Sequence, residues 1–170
     1  RIFDFSVQFD VSEKEIVQVG LIRQIVDQNG RYQGSISSPK FCKGLPEEIS
    51  RYLMNEALVY FEASSPMMQQ IHEWTRGQNY TGPLGIDSYL YRSHSGEIVL
   101  RPICEINPRY TMGRVTHEIR KSVSPGCSVR FRIEKSGPTH LAPLSFDQNG
   151  KIKSGELCLN EQDQETFFTA

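Results

Sequence analysis

The chain has 170 residues, enough for one domain with a real core. Its formal net charge of −1 supplies no global basic field, so nucleic acid is not an expected partner. No apolar run reaches membrane-spanning length and no signal peptide is visible, so a cytoplasmic protein without a membrane partner is expected.

The sequence opens at Arg1, without Met, directly into a strand. Apolar residues fall at Phe3, Phe5, Val7, Phe9 and Val11, a period of two. So abrupt an entry into a core strand implies a missing N-terminal part. After a polar turn at 12–15, residues 16–26 read as a strand or a strand pair. Gln28-Asn29-Gly30-Arg31 is a turn signal, and 32–35 lead out of it. Pro46-Glu47-Glu48 opens a helix with acids in its first turn. Leu53, Met54, Ala57, Leu58 and Phe61 form its apolar stripe. Ser64-Ser65-Pro66 interrupts it, and a second helical stretch follows. Its Met67, Met68 and Trp74 read as core or interlobe packing rather than a ligand box.

Residues 85–91 read as a strand, 93–96 as a turn and 97–104 as the return strand. Glu105-Ile106-Asn107-Pro108-Arg109 then ends that strand, and a helix is expected from 111 to 123, stopped by Pro125-Gly126. Glu105 and Asn107 are two apart, so they share a strand face. Folding the hairpin about Gly96 sets Asp87 opposite Glu105, with Cβ atoms roughly 4.5–5.5 Å apart. Two carboxylates that close repel unless something positive lies between them. Three oxygen donors on adjacent strands suit a hard cation such as Mg²⁺, which keeps waters and takes further ligands from phosphates. Arg109 can meet an anion beside that cation with its planar fork. Tyr89, Tyr91 and Arg101 belong to the same face. The register is exposed to a slip of one residue, and Pro102 lacks a ladder N–H. The plainer alternative is a surface turn and helix cap, with Asp87 as an exposed strand residue and Arg101 snorkelling along the sheet.

Gly-Ile-Asp on one strand, a turn, then Glu-Ile-Asn-Pro-Arg on the next resembles the distal half of an ATP-grasp domain. The resemblance implies an α+β fold, an antiparallel sheet with packed helices. It implies ATP and Mg²⁺ as cofactors, with Asp87, Glu105 and Asn107 as metal ligands, Arg101 on the nucleotide and Arg109 on a phosphorylated carboxylate. The implied activity is that of a ligase, which activates a small-molecule carboxylate as an acyl phosphate for attack by an amine or similar nucleophile. The lysines and phosphate loop that contact ATP in this superfamily would lie upstream of residue 1, so the chain alone is expected to be inactive. An ATP-grasp small-molecule kinase and a non-catalytic α+β interaction module are the alternatives.

Residues 1–125 are assigned to the ATP-grasp part and 126–170 to a β-rich extension. In that extension 127–133 alternate as a strand, and 144–146, a turn at 147–150 and 156–159 suggest further β structure. The final acidic stretch is expected to be poorly ordered. Cys42, Cys104, Cys127 and Cys158 lack zinc spacing and read as four free thiols, with Cys104 packed inside its strand. His117 reads as a polar-face histidine rather than a catalytic base. Nothing in the sequence fixes the oligomeric state.

Overall fold

The computed structural model describes residues 1–134 and 140–159. It is an α+β fold built on one six-stranded sheet in which every neighbouring pair is antiparallel. The strands are β1 (Phe3–Val11), β2 (Ile16–Val26), β3 (Tyr32–Ser37), β4 (Gly82–Arg92), β5 (Ile98–Asn107) and β6 (Val129–Arg132), in the order β5-β4-β1-β2-β3-β6. Residues 16–26 thus form one strand. β6, which lies beyond residue 125, pairs with β3 and lengthens the main sheet.

One face of the sheet carries the core. Phe5, Val7 and Phe9 of β1 and Leu84, Ile86 and Leu90 of β4 are buried there. The helices α1 (Glu47–Tyr52) and α2 (Pro66–Gly77) cover them. Past Tyr52 the chain continues through a π turn (Leu53–Ala57) and a 3₁₀ turn (Leu58–Phe61). The buried residues Ile49, Leu53, Ala57 and Phe61 are spaced by four. In a regular α-helix that spacing drifts about 40° per step, and a wider turn reverses the drift and holds the line on the sheet. α2 is capped by Ser65, whose Oγ accepts from the Met68 N–H at 3.2 Å, with Pro66 in its first turn. Met68 enters the core, but Trp74 is 47% exposed, because the buried line of α2 runs through Met68, Ile71 and Thr75.

The other face of β1 is also buried. Its Ser6 and Gln8 are each 1% exposed, so the strand is covered on both sides. The cover is α3 (Met112–Arg120), which lies across β1, β2, β3 and β6. Thr111 is the N-cap, accepting from the Arg114 N–H at 3.0 Å. Arg114 is buried, and its guanidinium forks onto Asp10 at 2.8 and 3.1 Å and reaches Glu118 at 2.8 Å. His117 is not on a polar face: its side chain is buried over Gly20. The helix ends at Arg120 rather than 123, since Ile152 bridges Val123 and draws the following turn toward β8 (Ile152–Ser154). β8 pairs with β7 (Ser145–Phe146) directly after the turn, so the return strand forms there and not at 156–159. Cys42, Cys104 and Cys127 are free thiols. The acidic end of the chain lies outside the described residues. Among those described, no helix is long and apolar enough to cross a membrane.

Candidate functional site

α3 roofs the sheet from β1 to β6 and its N-cap Thr111 reaches Gly85 of β4, while further along β4 and β5 that face carries the exposed Glu105 and Arg101. The expected acid pair lies there. Asp87 faces Glu105, Gly85 faces Asn107 and Tyr89 faces Arg101. The turn that returns the chain uses Gly96 at φ 85°, a conformation that favours glycine.

The register arises differently from a simple fold about Gly96. The pairs near the tip, from Arg92–Ile98 to Tyr89–Arg101, are centred on Ser95. Between Tyr89 and Asp87, a single β4 residue then faces Pro102, Ile103 and Cys104, which bulges β5 by two residues. Pro102 sits where no ladder N–H is required, and its carbonyl accepts from Ser88 Oγ at 2.7 Å. A bulge of two leaves the side-chain alternation intact, so the acids and Arg101 share one face. Cys104 is exposed rather than packed because it belongs to this bulge.

Three of the expected residues form one hydrogen-bonded cluster. Asp87 Oδ1 accepts from Gln24 Nε2 at 2.8 Å, and Oδ2 accepts from Asn107 Nδ2 at 3.3 Å. Asn107 Oδ1 accepts from the Arg109 guanidinium at 3.0 Å. The Glu105 side chain is exposed opposite Asp87 and makes no hydrogen bond or ion pair among the described residues. Arg101 is likewise exposed and unpaired among them, beyond the bulge from the cluster. Burial pushes the Asp87 carboxyl above its ordinary range, and the charge of Glu105 adds to the rise. Hydrogen bonds from Ser6 and Gln24 and the charge of Arg109 oppose it without cancelling it.

Behind Asp87 the network runs inward under α3. Gln8 Nε2 donates to Ser6 Oγ at 2.7 Å, and Thr111 Oγ1 donates to Gln8 Oε1 at 2.8 Å. The cap of α3 is therefore linked to the strand that faces the acids. Gly85 makes this possible: a Cβ there would lie 2.7 Å from Thr111 Cγ2. Sequence reasoning missed Ser6, Gln8 and Gln24. The available signal was a pair of uncharged polar residues, Ser6 and Gln8, alternating with the apolar residues of β1, which suits burial better than charged residues would.

The two carboxylates are of the donor type that Mg²⁺, a hard cation that retains waters, accepts, while the Asn107 Oδ1 faces Arg109 and its Nδ2 faces Asp87. Among the described residues there is no group of three or more His, Cys, Asp or Glu that would make a closed metal cage.

No family model matches the chain, and no curated protein sequence matches it. A solved structure from Archaeoglobus fulgidus, provisionally placed in the ATP-grasp superfamily, aligns at 18% identity with a TM-score of 0.38. The alignment covers 72% of this chain and 32% of the other, so this chain spans about a third of that protein. Such a likeness bears on no residue of the site.

Proposed function

We propose that this chain is the distal part of an ATP-grasp-type enzyme that activates a carboxylate as an acyl phosphate. The observation that supports it is the opposed pair Asp87 and Glu105 on one open face, with Asp87 desolvated and Asn107 and Arg109 joined to it. In this reading Asp87, Glu105 and Asn107 hold Mg²⁺. The ion supplies charge neutralisation at the phosphates of ATP. Arg109, already anchored on Asn107, presents its remaining guanidinium N–H groups to the transferring phosphoryl group. Gln24 keeps the Asp87 carboxylate oriented toward the open face.

A second reading has its own observation. Asp87, Asn107 and Arg109 already satisfy one another, and Asn107 turns its Nδ2 rather than its Oδ1 toward Asp87. A latch that ties the end of β5 to the sheet, in a non-catalytic module, needs no more than that.

Titration with Mg²⁺ alone separates the two. At tenfold over Kd, a cation bound only by the folded chain adds about 1.4 kcal/mol, a rise in Tm of roughly 3–6 °C. Asp87→Asn and Glu105→Gln should each remove that rise while leaving the metal-free fold intact. The effect should also fade as pH falls, because the raised pKa of Asp87 protonates it before an ordinary aspartate. A Tm indifferent to Mg²⁺ in the unsubstituted chain, or an equal rise in all three proteins, leaves the latch as the function of the cluster.

A further inference from the structure

A pocket of about 270 Å³, open to solvent, lies at the opposite end of α3 from the acid cluster, independent of the reading above. It exists because β3 pairs only with Ile22–Val26 of β2. The earlier part of β2 therefore has an open edge where β3 turns away at Ser37, among the described residues. That edge, the 38–41 segment and the last turns of α3 line the space.

The lining is one-sided in charge. It contains the basic side chains His117 and Arg120 and no acid. Arg120 is held by a hydrogen bond from Nε to Ser37 Oγ at 3.1 Å, and the two outer nitrogens of its fork have no partner among the described residues. It forms no ion pair there, while the neighbouring Glu118 is taken by Arg114 and Lys121. His117 is 8% exposed, lines the pocket and has no hydrogen-bond partner among the described residues. Its ring lies against Gly20: a Cβ at that position would come within 2.5 Å of Nδ1. An arginine fixed at Nε with its fork free, beside an unpartnered imidazole whose ring nitrogens are not sealed from water, is an arrangement with unused donors. It is a good one for an anion.

We propose that this pocket binds a phosphoryl group, as inorganic phosphate or as the phosphate end of a small metabolite. The fork of Arg120 takes two of its oxygens, and His117 donates to a third as the imidazolium. The volume, roughly that of nine waters in the liquid, admits the phosphoryl group and a few further heavy atoms. Unliganded, the imidazole is kept neutral by burial and by the positive charges of Arg120, Lys121 and Arg114, against the charge of Glu118. A bound dianion outweighs those charges, so binding and protonation of His117 strengthen each other.

The test is an NMR titration of the chain with inorganic phosphate, following the ring signals of His117 and repeated across pH. A saturable shift is expected, with the His117 pKa rising by one unit or more in saturating phosphate. Acetate at equal ionic strength should leave the signals in place. Arg120→Gln should weaken phosphate binding at least tenfold, and Arg120→Lys, which keeps the charge but not the fork, should lie between. The folded state of each variant is checked by its own spectrum, and the pKa measurement on the unsubstituted chain needs no variant. An unmoved His117 overturns the proposal, as does equal binding of acetate and phosphate. Unchanged affinity in Arg120→Gln does so as well.

Discussion

Replacing Gly85 by Ala tests how closely the start of α3 is keyed to the strand that carries Asp87. The new Cβ would lie 2.7 Å from Thr111 Cγ2 and 3.3 Å from both polar atoms of the Gln8 amide. Carbon atoms prefer about 3.5–4.0 Å, so the methyl or the helix start must retreat by roughly 1 Å. Thr111 cannot simply rotate, because Oγ1 accepts from the Arg114 N–H at 3.0 Å and donates to Gln8 at 2.8 Å. Overpacking of this kind costs roughly 1–3 kcal/mol, offset by about 0.5–1 kcal/mol from the smaller backbone entropy loss of Ala. The net loss of ~0.5–2 kcal/mol lowers Tm by roughly 1–8 °C in a domain of this size. Thr111→Ser keeps both hydrogen bonds and removes the methyl, at a cost of about 1 kcal/mol on its own. The double variant should therefore be more stable than the sum of the single losses by roughly 1 kcal/mol. Urea denaturation of the four proteins measures this coupling. Additivity within about 0.3–0.5 kcal/mol, or a Gly85→Ala chain as stable as the parent, would refute the close contact.

Two further outcomes follow from the same geometry. His117 is held below its ordinary pKa by burial first, so the unfolded chain takes up the proton before the folded one does. Its stabilising contribution is complete above the unfolded pKa of about 6.5 and is lost as pH falls toward the folded value. Urea midpoints should drop more steeply from about pH 7 to about pH 5 in the parent than in His117→Gln; equal slopes would contradict the burial argument. In an active longer enzyme containing this chain, Arg109→Lys should lower kcat far more than ATP affinity, since a point charge cannot reproduce the fork. A lower Tm with kcat unchanged per folded molecule would instead assign Arg109 to bracing Asn107.

The hairpin with its acid pair was legible because turn chemistry and strand parity are local. Gly96 marks the return, and Asp87, Glu105 and Asn107 keep one parity across it. The bulge that completes the register was signalled only by Pro102. The partners of Asp87 were not legible for a different reason. Gln24 and Ser6 reach it from strands more than 60 residues earlier in the chain, and nothing in a single sequence states that β4 pairs with β1. His117 was misplaced through burial. The line of α2 that faces the core leaves Trp74 on its flank, while the roof of α3 over Gly20 takes in a residue that composition alone assigns to solvent.

The two-residue bulge at Pro102 also acts as an expansion joint. A strand transmits two things to its far end, a distance and a side. This joint absorbs a change in the first while conserving the second. Tension or slack introduced at the tip, around Ser93–Gly96, need not travel past Ser88 and Pro102. The outer end of the hairpin is thus free to be lengthened, trimmed or fused to other sequences, while Asp87 and Glu105 keep their facing positions.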